Sequence, residues 1–196
     1  AEQPIGTVPA SRLLVLPGLH PGALSWLVAT GAEQSTVSRI DAVDLRVHSV
    51  RQLAGRLAGV GWLTGDRLVG NHLVDGQRMP VCLDLRTDAV VPLADHGTAA
   101  VLTAPGRDAV LTVRLEPGAN RLGWLDSGTG AIRHPTAFDD LSGEVFPLAA
   151  DPAGRWLAIR VNDGARSRLL IHDDLLDTIE EVPTPPIIVK LAGWGP

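Results

Sequence analysis

Several residue types are scarce in this chain of 196 residues, and each scarcity excludes a class of protein. Cys82 is the only cysteine, which excludes an internal disulfide and a metal site built from paired cysteines. Lys190 is the only lysine among 17 basic residues, and the net charge is −5. This balance argues against a broad nucleic-acid surface and against a polybasic membrane anchor. No apolar run approaches the roughly 18 residues that a transmembrane helix needs.

The remaining composition is that of a folded, globular chain. The hydrophobic fraction of 45% and the mean hydropathy of +0.15 exclude a mostly disordered protein. The N-terminal residues lack the charged and then apolar pattern of a signal peptide. We therefore expect a cytoplasmic protein, with a mature exported form as the alternative. The length suggests a single domain over residues 1–196.

Turn-forming residues are abundant and evenly spread, and one of them marks a repeat. The chain holds 21 glycines and 15 prolines, which argues against a helical bundle. An aspartate ends an apolar run at four places, and the spacings between these aspartates are 43, 42 and 47 residues. The four are Asp41, Asp84, Asp126 and Asp173. Aspartate suits a turn because its carboxylate accepts backbone N–H groups two residues further on.

A second marker keeps the same period. A turn that contains glycine precedes each aspartate, at Gly22, Gly65, Gly106 and Gly154, with spacings of 43, 41 and 48 residues. A strand-like run follows each of these turns. Four short strands in about 40–45 residues is the period of a β-propeller blade.

The sequence therefore predicts an all-β fold of the propeller or partial-propeller type, with about four antiparallel blades of four strands each. The blades are expected at about 11–50, 57–93, 98–135 and 144–183. Terminal strands at 3–9 and 186–194 would complete a further blade or pair with a partner. A competing interpretation concerns Ser49 to Ala58, where the spacing of Val50, Leu53 and Leu57 also fits a short helix.

The repeat resembles a known class. The segment from Asp151 to Ile159 is similar to the "SPDGRxLA" element of TolB-type propeller repeats. The segments Asp126–Gly130 and Asp84–Asp88 are similar to the "DLxTG" turn of the same repeats. Such repeats also form the propellers of prolyl-oligopeptidase-type serine hydrolases. The resemblance implies a propeller that filters access to a separate α/β-hydrolase domain, which lies outside this chain.

Catalytic and metal-binding patterns are not found in the sequence. A nucleophile elbow needs Gly-x-Ser-x-Gly, and the nearest serine, Ser127, has Leu125 where the first glycine is required. The six histidines are scattered and include no close metal-binding pair. We predict no catalytic residue, no metal site and no cofactor in this chain.

The candidate binding residues are Trp62 and Trp194, which occupy equivalent positions at the end of the first strand of a blade. That strand lies nearest the axis of a propeller, so both rings could stack on a ligand at a channel mouth. The alternative is that they pack between blades. An arginine follows or adjoins three of the glycine turns: Arg67, Arg107 and Arg155. These arginines either form a ring of cations or are individually solvated in their turns.

The functional hypothesis is a non-catalytic propeller module that gates substrate access or binds a partner. The alternative is a stand-alone scaffold that binds a protein or a peptide. A paired half-ring is one form that this scaffold could take. The expected partners are an α/β-hydrolase domain or chain, a second propeller half in a homodimer, or a peptide or protein ligand. Nucleic acid and membranes are not expected as partners.

Overall fold

Four antiparallel β-sheets make up the structure, a computed structural model that describes residues 12–17, 23–31, 33–41, 43–44, 46–64, 66–95, 97–116, 119–162 and 166–183. Each sheet contains four strands that follow one another in the sequence, and each strand pairs with its sequence neighbour. We call these sheets blades 1 to 4. They confirm the prediction of an all-β fold with four four-stranded blades.

The described residues between 12 and 95 form one compact unit, which holds blades 1 and 2. Blade 1 consists of β1 Arg12–Pro17, β2 Ala23–Thr30, β3 Gln34–Asp41 and β4 Val47–Ala54. Blade 2 consists of β5 Arg56–Thr64, β6 Arg67–Val74, β7 Gln77–Asp84 and β8 Ala89–Pro92. The apolar core of this unit contains the edge-to-face pair Trp26 and Trp62, whose ring centroids are 5.4 Å apart.

The described residues between 97 and 183 form the second compact unit, which holds blades 3 and 4. Blade 3 consists of β9 Thr98–Ala104, β10 Ala109–Glu116, β11 Ala119–Asp126 and the two-residue strand β12 Ile132–Arg133. Blade 4 consists of β13 Glu144–Ala150, β14 Trp156–Asn162, β15 Ser167–Asp173 and β16 Thr178–Val182. The apolar core of this unit contains Leu111, Trp124, Leu157 and Ile159.

The aspartate that ends the third strand of each blade closes the following turn, as the sequence predicts. Asp41 Oδ1 accepts the Val43 N–H at 2.8 Å. The other three aspartates each accept two backbone N–H groups, from the second and third residues after them; these are Asp84, Asp126 and Asp173. One repeated side chain therefore fixes the same turn in all four blades.

The helical interpretation of Ser49 to Ala58 is wrong. The segment is divided between β4 and β5. Gly55 separates the two strands with φ at +79°, which is left-handed backbone that ends any right-handed helix. Leu53 and Leu57 are both buried, as the periodicity requires, but they reach the core from two different sheets.

A polar contact fastens the connection between blades 3 and 4. This connection contains a 3₁₀ turn, Thr136–Phe138. The Asp177 carboxylate accepts the Thr136 N–H at 2.9 Å, the Thr136 hydroxyl at 2.6 Å and, at 3.1 Å, the Nε2 of His172. His172 is fully buried, and its ring lies 4.5 Å from that of Phe138. The hydrogen bond from the Thr136 hydroxyl is the largest cause that lowers the pKa of the Asp177 carboxyl.

In the part of the chain that the structure describes, no helix has the length and apolar character that crossing a membrane requires. The predicted terminal strands at 3–9 and 186–194 lie outside the described residues.

Candidate functional site

A cleft of about 340 Å³ in the second unit is the candidate functional site. Its walls come from the turn before β10, the end of β11 and the short strand β12. It is lined by Arg107, Ala109, Trp124, Asp126, Thr129, Ala131, Ile132 and Arg133. A volume of this size accommodates a small organic molecule or the end of a peptide.

Two arginines of blade 3 converge on one carboxylate of blade 4 at this cleft. Arg107 donates through Nη1 to Asp174 Oδ2 at 2.6 Å, and Arg133 donates through Nη2 to both Asp174 oxygens. Asp174 is only 10% exposed, whereas the side chains of Arg107 and Arg133 are 30% and 47% exposed. Asp126 also lines the cleft, so two positive and two negative charges meet there.

Two glycines bring the turns of blades 3 and 4 close enough for this contact. The Gly106 N–H donates to the Pro152 carbonyl at 2.7 Å, and a Cβ on Gly106 would lie 2.9 Å from that oxygen. Gly154 has φ at +68°, and its carbonyl accepts a hydrogen bond from Arg107 Nη1 at 3.0 Å. The two glycine turns that mark the repeat therefore position Arg107.

Trp124 forms the apolar floor of the cleft. It is 2% exposed, and the Arg107 guanidinium carbon lies 5.0 Å from the centroid of its ring, within the range of a cation–π interaction. Ile132, which is 38% exposed, adds an apolar wall. The cleft therefore places guanidinium groups directly beside apolar surface.

Both carboxylates of the site stay ionised at neutral pH. Burial raises the pKa of the Asp174 carboxyl, but the hydrogen bonds from Arg133 and Arg107 outweigh burial and hold that pKa below its usual value. Hydrogen bonds from Thr129, first from its backbone N–H and then from its hydroxyl, lower the pKa of Asp126. All of the hydrogen bonds that the turn gives to Asp126 end on Oδ1.

A similar ion pair lies just outside the cleft. Arg155 donates through Nη2 to Asp173 Oδ2 at 3.0 Å, and its guanidinium carbon lies 4.6 Å from the centroid of the Trp156 ring. The hydrogen bond to Asp173 raises the pKa of Arg155. Arg155 does not line the cleft. Substitution of Arg155 is therefore a matched control for substitution of Arg107 or Arg133.

Of the two sequence-predicted tryptophans, the structure describes Trp62, which does not line this cleft. Trp62 is 5% exposed and packs on Trp26 in the core of the first unit. Trp194 lies outside the described residues. Sequence reasoning singled out Arg107 but did not find Arg133, Trp124 or Asp174 as members of a site. The one available signal was the doubled acid Asp173-Asp174, since only the first of the two is needed to close the turn.

Ser127 and the candidate metal-binding groups have other environments. The Ser127 hydroxyl donates to Asp108 Oδ1 at 2.7 Å, which links the turn after β11 to the residue that directly precedes β10. In the first unit, ligand atoms of Asp41, Asp44 and His48 lie within 4.8 Å of one another. The Asp44 carboxylate accepts the Arg46 N–H at 2.9 Å, and Arg39 lies 3.5 Å from Asp41. Both aspartates therefore already contact neighbouring polar groups.

Comparison with known proteins yields likenesses of fold. No protein-family model matches the chain, and no curated protein matches it. TolB from Acinetobacter baumannii matches with a TM-score of 0.59 and 18% identity, over 80% of this chain and 40% of that chain. A puromycin-hydrolyzing peptidase from Mycobacterium tuberculosis matches with a TM-score of 0.61 and 15% identity, over 88% of this chain and 29% of that chain. Acylaminoacyl peptidase from Pyrococcus horikoshii matches with a TM-score of 0.59 and 13% identity, over 82% and 30% respectively.

These likenesses and the four sheets together define the class of the chain as a β-propeller or partial propeller. Its blades are similar to those of TolB and of propeller-containing peptidases. The chain spans less than half the length of each of the three structures named above.

Proposed function

We propose that the chain is a non-catalytic β-propeller module that gates substrate access or binds a partner, like the propeller of a prolyl-oligopeptidase-like serine hydrolase whose catalytic domain lies outside this chain. The observation that supports this proposal most is the succession of four four-stranded blades, similar to part of two peptidases. In such an assembly the blades supply shape and binding surface, and the hydrolase domain supplies the reacting groups.

The chemistry of the cleft supports binding rather than catalysis. Asp174 is held by two arginines, and Asp126 is held by its own turn. Carboxylates whose pKa values are lowered by such bonds are poor proton donors and weak bases at neutral pH. Exposed guanidinium groups beside apolar side chains are instead suited to recognition of a ligand.

A stand-alone scaffold that binds a protein or peptide is the second candidate, and the concave, charged cleft favours it. A paired half-ring, in which two copies join, is one form of this candidate. Light scattering on the purified chain separates the forms. A mass of 20.7 kDa at high concentration excludes the half-ring, and twice that mass supports it.

An activity screen tests the non-catalytic proposal. The purified chain is incubated with chromogenic esters and peptides and, separately, with a fluorophosphonate that labels activated serines. We expect neither turnover nor labelling, since Ser127 does not lie in a nucleophile elbow and its hydroxyl donates to the Asp108 carboxylate. Labelling that disappears in a Ser127→Ala variant would contradict the proposal.

Three further sequence predictions remain proposals. Residues 1–196 are proposed to act as one propeller-type repeat domain. Trp62 and Trp194 are proposed to contribute to a channel mouth. The cytoplasm is the proposed location, with export as the alternative.

A further inference from the structure

We propose that the cleft in the second unit binds an N-acylated apolar α-amino acid through its free carboxylate, as found at the C-terminal end of a peptide. This inference deepens the proposed function and rests on it, because it names the ligand class of a binding module. It follows from three groups that the fold places side by side: two guanidinium groups, an apolar floor and an acceptor for an N–H.

The guanidinium groups can take a second carboxylate. Each guanidinium has five N–H donors, and Asp174 engages one terminal nitrogen of each arginine. Arg133 is almost half exposed at the rim, whereas Asp174 is nearly buried behind it. The planar fork of Arg133 matches the geometry of a carboxylate. A ligand carboxylate would bind at the exposed Arg133 guanidinium, through donors other than the Nη2 that engages Asp174.

The apolar surface beside the arginines selects the side chain of the ligand. Trp124 forms the floor, and Ile132 and the small residues Ala109 and Ala131 complete the lining. Ile132 and Ala131 are exposed and supply the apolar surface that an aliphatic group can contact. A polar ligand side chain would lose its hydration here without gaining a partner.

The acidic side of the cleft selects an N–H donor. Asp126 lines the cleft, stays ionised, and receives the hydrogen bonds of its turn on Oδ1. Its second oxygen can accept the amide N–H of the same ligand residue. Carboxylate, apolar side chain and amide N–H occur together in the last residue of a peptide. A simple fatty acid lacks the N–H, and an inorganic anion lacks both other groups.

Titration calorimetry with the full chain and defined ligands tests the inference. The probes are the tripeptide Ala-Ala-Leu, the same tripeptide with an amidated C-terminus, Ala-Ala-Ser and N-acetyl-leucine. We expect Ala-Ala-Leu to bind and the amide to bind at least about tenfold more weakly, since the amide lacks the charge that pairs with Arg133. We expect Ala-Ala-Ser to bind more weakly than Ala-Ala-Leu. Equal binding of N-acetyl-leucine identifies a free acylated amino acid as a sufficient ligand, and tighter binding of the tripeptide identifies a peptide end.

Two variants locate the site. Arg133→Gln should weaken the binding of Ala-Ala-Leu at least about tenfold, because glutamine keeps a polar side chain but loses the charge. Arg155→Gln is the matched control, since Arg155 also pairs with an aspartate of blade 4 but does not line the cleft, and it should bind like the parent chain. Circular dichroism confirms that each variant is folded.

The parent chain's affinities for Ala-Ala-Leu with a free and with an amidated C-terminus can be compared without any variant. The inference can therefore be refuted even if a variant does not fold. Equal affinity for the two forms, or no binding of Ala-Ala-Leu at millimolar concentration, would overturn it. Equal loss in Arg133→Gln and Arg155→Gln would overturn the assignment to this cleft. Any of these results leaves the screen for catalytic activity unaffected, so the failure of this inference is distinguishable from the failure of the proposed function.

Discussion

Replacing Gly154 by alanine tests whether the two glycine turns of the second unit must approach each other closely. Gly154 has φ at +68°, and a Cβ there would overlap Arg107 Cδ and lie 2.8 Å from the Cβ of Ala104. Left-handed backbone costs a non-glycine residue about 1–2 kcal/mol. Overpacking of a buried contact adds about 1–3 kcal/mol. We therefore expect Gly154→Ala to lower the free energy of unfolding by about 2–5 kcal/mol.

Gly130→Ala is the matched control, because it separates backbone strain from packing. Gly130 has φ at +73°, but a Cβ there would meet no atom within 4 Å. This variant should lose only the backbone part, about 1–2 kcal/mol. With a urea dependence of about 1–3 kcal/mol per molar, Gly154→Ala should have a midpoint lower than that of Gly130→Ala by roughly 1 M.

Urea unfolding, monitored by far-ultraviolet circular dichroism, provides the measurement. A double variant identifies the atoms responsible. In an Arg107→Ala background the second change, Gly154→Ala, should cost less than in the parent chain, because the overlap with Arg107 Cδ is removed. If Gly154→Ala is no more destabilising than Gly130→Ala, the close approach of the two turns is refuted. If the cost is unchanged without Arg107, the overlap is assigned to the wrong atoms.

Other variants test individual contacts. Asp177→Ala should destabilise the second unit by about 1–3 kcal/mol at neutral pH, since it leaves buried His172 without this partner. The pKa of Asp177 is lowered in the folded chain, so its contribution to folding stability exists above about pH 4 and decreases as the pH falls further. Thermal melts in which the variant is destabilised equally at pH 7 and pH 2, relative to the parent chain, would contradict this. Gly70→Ala should cost about 1–3 kcal/mol in urea unfolding, since a Cβ would lie 2.5 Å from Leu57 Cδ1, and a neutral effect would refute the packing. Trp62→Ala should cost about 3–5 kcal/mol if the ring serves the core, and a loss below 1 kcal/mol would contradict its burial.

The sequence was sufficient to predict the blades because their signals are local. The hydrogen bonds that close each blade's third strand join an aspartate to an N–H two residues away and, in three of the blades, to another N–H three residues away. A single residue type therefore marks each turn. Asp88 and Asp177 likewise have positive φ at the ends of these turns, as their spacing after the first aspartate indicates. Local chemistry of this kind repeats with the blade and is visible as a period.

The cleft could not be predicted from local signals. Arg107 and Asp174 are 67 residues apart in the sequence, and Arg133 and Asp174 are 41 residues apart. Their meeting depends on how blade 4 packs on blade 3, which no turn motif specifies. The helical interpretation of Ser49 to Ala58 failed for a related reason. A spacing of three or four between apolar residues also arises when two strands turn sharply at a glycine such as Gly55.

The mass and composition of the native gene product test the central claim most directly. The claim is that this propeller module works with a serine hydrolase whose catalytic domain lies outside these 196 residues. Sequencing the reading frame, together with mass spectrometry of the product purified from its source cells, should reveal a hydrolase with a Gly-x-Ser-x-Gly elbow, either joined to the propeller or bound to it. A native product of 20.7 kDa that purifies alone, without any hydrolase partner, would contradict the claim.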